Sequence, residues 1–227
     1  FVQAADREAL LDHGAVDLVW LCGLLYLHKA AAGHKLTPAV APVMVGETPA
    51  DCPVYYGDVI VNSASAYQSF ADLRGRRWVY NEEASFSGYQ VVRAHLAELN
   101  EQQSYFGATI KSGAHLQSIA LVRDGVADCA AIDSTVLQMA AVHHPTLLRG
   151  IRTVARLGPY PMPLWAFTER CDPAYQQPLI EAMTKMHEDR VGRNLLAQWQ
   201  IARFHTVTAK DYAPLRTADD LANQLRW

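Results

Sequence analysis

The chain has 227 residues, half of them hydrophobic, and 20 Lys and Arg against 23 Asp and Glu give a formal charge of −3. That length buries a full core, as one large domain or two small ones, and the near balance of charge, with no basic cluster beyond residues 74–77, argues against a nucleic-acid partner. No stretch approaches the length needed to cross a bilayer, and the opening FVQAADREALLDHG has neither the basic n-region nor the apolar h-region of an export signal.

Residues 4–13 predict a helix ending near Gly14, followed by a strand over residues 16–21, VDLVWL, whose unbroken apolar character suits a sheet covered on both faces. Residues 53–62, PVYYGDVIVN, read as a strand, residues 63–68 as a polar connection, and residues 69–74 as a short helix with Gly75 at its C-terminal end. The stretch over 77–99, RWVYNEEASFSGYQVVRAHLAEL, organises the rest. Trp78, Val79 and Tyr80 form a β-prone run, residues 81–87 supply turn and N-cap chemistry, and Tyr89, Val92, Leu96 and Leu99 recur at helical spacing. Ser85, Phe86, Ser87 and Gly88 therefore stand where a helix begins. A helix start offers unpaired backbone N–H groups and a partial positive charge, so two hydroxyls and a glycine beside it make an oxyanion cradle; the same residue types also serve as plain caps.

Residues 108–111 predict another strand, and residues 112–115, SGAH, open the next helix, with Leu116, Ile119 and Ala120 on one face. Residues 127–132 form a buried strand, after which Asp133, Ser134 and Thr135 open a third helix carrying Val136, Leu137 and Ala140 and stopping before Pro145. Residues 151–157 read as a strand, residues 158–163, GPYPMP, as a stiff non-helical connector unsuited to a central strand, and residues 164–168 as strand-like. The tail over 173–227 reads as mostly helical, with Leu179, Met183 and Met186 on one face and then Leu195, Leu196 and Trp199.

Gly14 and Asp17 match Gly125 and Asp128 at one offset of 111 (125 − 14 and 128 − 17), so helix, glycine, aspartate and strand occur twice in the same order. The residues just past the two strands, Cys22-Gly23 and Asp133-Ser134, are then equivalent, and ligands of open α/β sheets bind beyond the carboxyl ends of strands. Two such sheets facing each other would share one cleft, with connectors near 63–68 and 157–163 as its two crossings and hinge. Cys22, Cys52, Cys129 and Cys171 have no C-x-x-C spacing, and Cys22 and Cys129 lie in or beside apolar strands. His28, His34, His143 and His144 have no carboxylate or thiol at ligand spacing, so no metal is expected.

The series YY…VIV, SFADLRGRRWVYN, ASFSGY, SGAHLQSI, DGVADCAAIDSTVL, GPYPMP and MHEDRVGRNLL resembles the solute-binding proteins of phosphonate, phosphite and phosphate ABC importers, and the likeness covers roughly Asp17 to Tyr212. The resemblance implies a type II periplasmic-binding α/β fold: two lobes, each a mixed sheet flanked by helices, joined by two crossovers and closing on one small anion. It implies lobe 1 over residues 1–65 plus 157–227, lacking the family's first strand–helix unit, and lobe 2 over 66–156 with the anion loops. It also implies a permease partner, a periplasmic or membrane-anchored extracytoplasmic location, no cofactor and a monomeric protein; without an export signal in the sequence, a cytoplasmic location stays open. Ligand contacts carried over are Ser85, Ser87 and Gly88, then His115, Asp133 and Tyr56 or Tyr55. Two departures stand out, Phe86 for a threonine of the cradle and Leu116-Gln117 for a more acidic pair.

On these residues, Ser85, Ser87 and the amides around Gly88 hold phosphonyl oxygens while His115 adds a bond from the second helix start. Asp133 pairs with a ligand cation, shares a ligand proton, or merely caps its helix. Tyr55, Tyr56 and Tyr160 present hydroxyls or act as walls, and Cys22 stands at the equivalent strand end. Ser85, His115 and Asp133 also include the residue types of a nucleophilic triad, but ASFSG lacks the G-x-S-x-G elbow, so catalysis is not expected. The alternatives are a thiamine-pyrimidine-synthesis-like enzyme or precursor binder on the same fold, and a binder of sulfonate or another small anion.

Overall fold

The computed structural model describes residues 4–46, 52–101 and 103–225. Along the chain come α1 (Ala4–Asp12), β1 (Leu18–Leu21), α2 (Gly23–Ala31), β2 (Leu36–Met44), β3 (Val54–Asn62), β4 (Arg77–Tyr80), α3 (Val91–Glu98), β5 (Ala108–Lys111) and α4 (His115–Arg123). They are followed by β6 (Cys129–Asp133), α5 (Ser134–His143), β7 (Ile151–Pro161), β8 (Leu164–Thr168), α6 (Pro173–Lys185), α7 (Arg190–Ala197), β9 (Ile201–Thr206) and α8 (Ala213–Gln224). The molecule comprises two compact units, Phe1–Val54 with Pro161–Arg216 and Tyr55–Tyr160 with Thr217–Trp227.

The first unit holds a four-stranded sheet in the order β1-β8-β2-β9 with antiparallel neighbours. Its interior is built on Val40, Leu196 and Phe204 on one side, with Ile180, Met183 and Met186 against them, and on Ala39, Phe167 and Cys171 on the other. The second unit holds a mixed five-stranded sheet in the order β5-β4-β6-β3-β7, in which β4 runs parallel to β5 and β6 while β3 is antiparallel to β6. Ile60, Val79, Ala130 and Ile132 from three strands meet Ile119 and Val122 of α4 in its core, which explains why these strands read as continuous apolar runs.

The internal repeat extends to whole elements. Helices α1 and α4 start and end 111 residues apart (115 − 4 and 123 − 12), and β1 and β6 start at the same offset (129 − 18). The N-caps Cys22 and Asp133 keep it as well (133 − 22). Gly14 and Gly125 both adopt a left-handed backbone, φ 62° and 72°, which reverses the chain after each helix. Asp17 pairs with Arg170 and Asp128 with Arg77, so each aspartate anchors the entrance to its strand through an arginine.

Several expectations are corrected. β3 belongs to the second sheet, because Gly57 to Val61 pair with Asp133 to Cys129. The chain therefore passes between units at 54/55 rather than near 65, and at 160/161, inside the expected connector 157–163, while residues 217–225 return to the second unit. The proline-rich segment 158–161 is strand, not connector, and forms the end of edge strand β7. β2 and α2 went unread: Pro38 and Pro42 disguise β2, and register shifts at Pro38/Val40 and Val43/Met44 accommodate them. The tail contains β9, and its apolar faces are rotated from the expected ones: Leu179, Leu195 and Trp199 are exposed. Leu99 and Leu116 are exposed too, while Val91 and Ser118 are buried. Arg226 and Trp227 of the expected tail lie outside the described residues.

Candidate functional site

The Ser85–Gly88 stretch folds as a helix start of unusual width. Residues Phe86–Gln90 form one π-type turn that leads directly into α3, and Ser85 is its N-cap, its hydroxyl accepting from the Gly88 N–H at 3.2 Å. Such a turn is common at functional positions because it opens the backbone and re-aims side chains. Phe86, Ser87 and Gly88 are all buried. Two glycines permit this. A Cβ on Gly88 would stand 2.0 Å from Asn81 Oδ1 and 2.9 Å from His115 Cε1, and one on Gly57 would stand 2.8 Å from Val91 Cγ1 and 3.1 Å from the Ser87 carbonyl oxygen.

The second helix start is fixed from below. Ser112 Oγ donates to the Tyr80 carbonyl at 3.1 Å and lies 2.7 Å from the fully buried Ser118 Oγ, so α4 is tied back to the end of β4. His115, the first residue of α4, brings its Nε2 to 3.2 Å from Ser87 Oγ. Although the residue keeps partial exposure, its ring is desolvated, which lowers its pKa from 6.5 to about 4 and keeps the imidazole neutral at pH 7. Its Nδ1 is buried without a hydrogen-bond partner, as is Asn81 Oδ1.

The third helix start is Asp133, the N-cap of α5. Its Oδ1 accepts from the Thr135 N–H at 2.9 Å and the Thr135 hydroxyl at 2.7 Å. Burial pushes this carboxyl above the usual range, while the bonds from Thr135, Ser87 and the Val136 amide pull the other way. Ser87 thus stands between His115 and Asp133. The Tyr56 N–H donates to Ser134 Oγ at 3.0 Å and Gly57 pairs with Asp133, which fixes β3 against this turn.

All the nominated residues except Cys22 belong to the second unit. Ser85, Ser87, Gly88, His115 and Asp133 are brought together there. Tyr56 lies on the strand that holds Asp133, and Tyr55, its neighbour, is 3% exposed and packed away. Phe86 lies edge-on to Tyr160, ring centroids 4.6 Å apart. Cys22 caps α2 in the first unit without a side-chain hydrogen bond to that helix. Sequence reasoning missed three residues. Asn81 was hidden among turn residues; Gly57, a glycine inside a strand run, was a readable sign of close backbone approach. Arg156 places its guanidinium 4.5 Å from the Tyr56 ring centroid and donates through Nε to the buried Asp58 at 2.9 Å, so a cation stands beside Tyr56. Among the described residues no cluster of His, Cys, Asp and Glu is arranged to hold a metal ion.

Polar groups gathered at two helix starts, around a neutral imidazole and within an α/β fold of two sheets, have the chemistry of a small-anion site in a binding protein. The family of phosphonate ABC-transporter periplasmic substrate-binding proteins matches residues 3–212, and the chain belongs to that family. Solved structures of the same type II periplasmic-binding fold are similar to it at low identity. PhnD1 of Prochlorococcus marinus, determined with methylphosphonate, is 16% identical with a TM-score of 0.80, covering 99% of this chain and 85% of its own. The binding-protein component of an ABC phosphonate transporter from Pseudomonas aeruginosa is 16% identical with a TM-score of 0.81, covering 97% and 73%. The periplasmic aliphatic sulphonate binding protein of Escherichia coli is 17% identical with a TM-score of 0.67, covering 99% and 75%.

Proposed function

We propose that this solute-binding protein captures a small phosphorus oxyanion, a phosphonate, phosphite or phosphate, at the Ser85–Gly88 turn and delivers it as a monomer to an ABC permease. The observation that carries the reading is the Ser87–His115 pair at 3.2 Å beside the N-terminal turn of α3. Ser85, Ser87 and the amides of residues 86 and 87 supply donors to the anion's oxygens, and neutral His115 adds one more. Hydrogen bonds to a charged group contribute about 1.5–3 kcal/mol each and a helix terminus about 0.3–1. Four or five of them support a micromolar complex, worth about 8 kcal/mol, after binding costs.

Asp133 caps its own helix instead of meeting a ligand cation, because its Oδ1 already accepts from both Thr135 donors. An aminoalkyl phosphonate therefore gains nothing from its amine, and Phe86 offers an apolar wall where a hydroxyl would favour a more polar ligand. A thermal-shift and calorimetry panel of methylphosphonate, phosphite, phosphate, aminoethylphosphonate and taurine tests this. Methylphosphonate or phosphite is expected to bind, with aminoethylphosphonate no tighter, and Ser87→Ala is expected to weaken binding about tenfold. Taurine alone binding would replace the phosphorus anion with a sulfonate.

The geometry disfavours catalysis. In a nucleophilic triad the carboxylate orients the far nitrogen of the histidine. Here Asp133 bonds to Thr135 instead, and the far nitrogen of His115 stands without any hydrogen-bond partner.

A further inference from the structure

The turn that carries Ser85 to Gly88 closes with two bonds of i→i−5 spacing, from the Gln90 N–H to the Ser85 carbonyl at 3.1 Å and from the Val91 N–H to the Phe86 carbonyl. Such a turn is rare, because the same residues fit an ordinary α-turn, so a specific contact has to hold it open. Gln90, its last residue, is bonded on both sides of it. Nε2 donates to the Glu83 carbonyl at 3.2 Å, ahead of the cradle, and Oε1 accepts from Arg93 Nη1 at 3.0 Å, in the first turn of α3. One orientation of the carboxamide serves both, its NH2 toward a carbonyl and its oxygen toward a guanidinium. The two partners are themselves fixed. The Glu83 carboxylate accepts from the Tyr80 hydroxyl at 2.9 Å and pairs with Lys111, at the ends of β4 and β5, and Arg93 Nη2 donates to the Leu225 carbonyl at 2.7 Å.

Helix α3 is seated in the core by Val91, Val92, Ala94 and Leu96, so it cannot rotate to absorb a narrower turn. Narrowing would instead move the residues ahead of it by one position, about 100° round the axis and about 1.5 Å along it. That carries Ser87 away from His115 Nε2. Resting on the anion-binding reading of the Ser85–Gly88 turn, we propose that Gln90 is a positioning residue: its carboxamide bridges Glu83 and Arg93 and so keeps the turn wide, with Ser87 beside His115. The bridge takes none of the hydrogens assigned to the ligand, since it uses only the Gln90 carboxamide, the Glu83 carbonyl and the Arg93 guanidinium.

The test pairs calorimetry with NMR couplings across hydrogen bonds in the ligand-free protein. In the wild-type chain the residue 90 amide nitrogen is expected to couple to the Ser85 carbonyl carbon. Gln90→Leu, close in size but unable to bond, is expected to move that coupling to the Phe86 carbonyl carbon and to weaken methylphosphonate binding by about tenfold. Gln90→Glu, the second variant, keeps the acceptor for Arg93 and loses the donor for Glu83, and is expected to divide the coupling between the two carbons and weaken binding by about threefold. A merely structural residue would lower the melting temperature and leave the coupling on Ser85. A coupling that stays on Ser85 in both folded variants, or affinity unchanged in both, overturns the proposal. Couplings that move as expected in a protein whose wild type binds no phosphorus anion would instead overturn the anion reading and leave the hold of Gln90 on the turn standing.

Discussion

At Cys22 and at Asp133 the chain turns from strand into helix with nearly the same backbone, φ −59° and ψ 142° against φ −55° and ψ 124°. Around Asp133 the turn is polar: the Thr135 amide and hydroxyl bond to the carboxylate, and Ser134 holds β3. Around Cys22 it is filled with carbon. A Cβ on Gly23 would stand 2.4 Å from Leu215 Cδ1 and 3.0 Å from Tyr212 Cδ1, and Tyr212 is fully buried against Tyr26. One repeat thus gives a packed helix start and the other the candidate site, so the backbone motif alone does not gather polar groups. The side chains lent by neighbouring elements do.

The comparison breaks most sharply at Gly88. Gly88→Ala drives a methyl into Asn81 and His115, and methylphosphonate affinity measured by calorimetry should fall by about 100-fold with the fold retained, an overpacking effect of about 1–3 kcal/mol converted to binding. His115 gives the next effect. Its lowered pKa means that the unfolded chain binds a proton which the folded chain refuses, so stability is full above pH 6.5 and falls as pH drops toward about 4. The loss is on the order of 3 kcal/mol, and denaturant melts of His115→Gln across that window should show that part of the pH dependence removed. In the first unit, Gly23→Ala should cost about 1–3 kcal/mol of stability through Leu215 and Tyr212 while leaving anion affinity unchanged. The smallest effect should come from Cys22→Ser, which gives α2 the hydroxyl cap it lacks and should add about 0.5–1 kcal/mol of stability, read as a slightly higher melting temperature, again without touching affinity.

Much of the site was legible. Ser85, Ser87, Gly88, His115 and Asp133 were readable because each stands at a helix start, where polar residues after a β-prone run have a limited set of uses. The strands β3 and β6 were readable because burial on both faces writes itself as an apolar run. Strand β2 was not, since its prolines carry a local signal opposed to its place between β8 and β9. Strand β9 was lost in a tail of helical composition, where pairing with β2 decides the conformation. Asn81 and Arg156 have no local mark: their importance lies in Gly88 and His115 for the one, and in Tyr56 and Asp58 for the other.

By itself the amino-acid sequence determined the alternation of strands and helices, the 111-residue repeat and the residue types at each helix start, because periodicity, caps and turns are local physics. The tertiary structure decided which of two equivalent helix starts is polar, which sheet β3 joins, and that Ser87 lies between His115 and Asp133. Those outcomes depend on contacts between segments 28 and 46 residues apart (115 − 87 and 133 − 87), and no local preference encodes such distances.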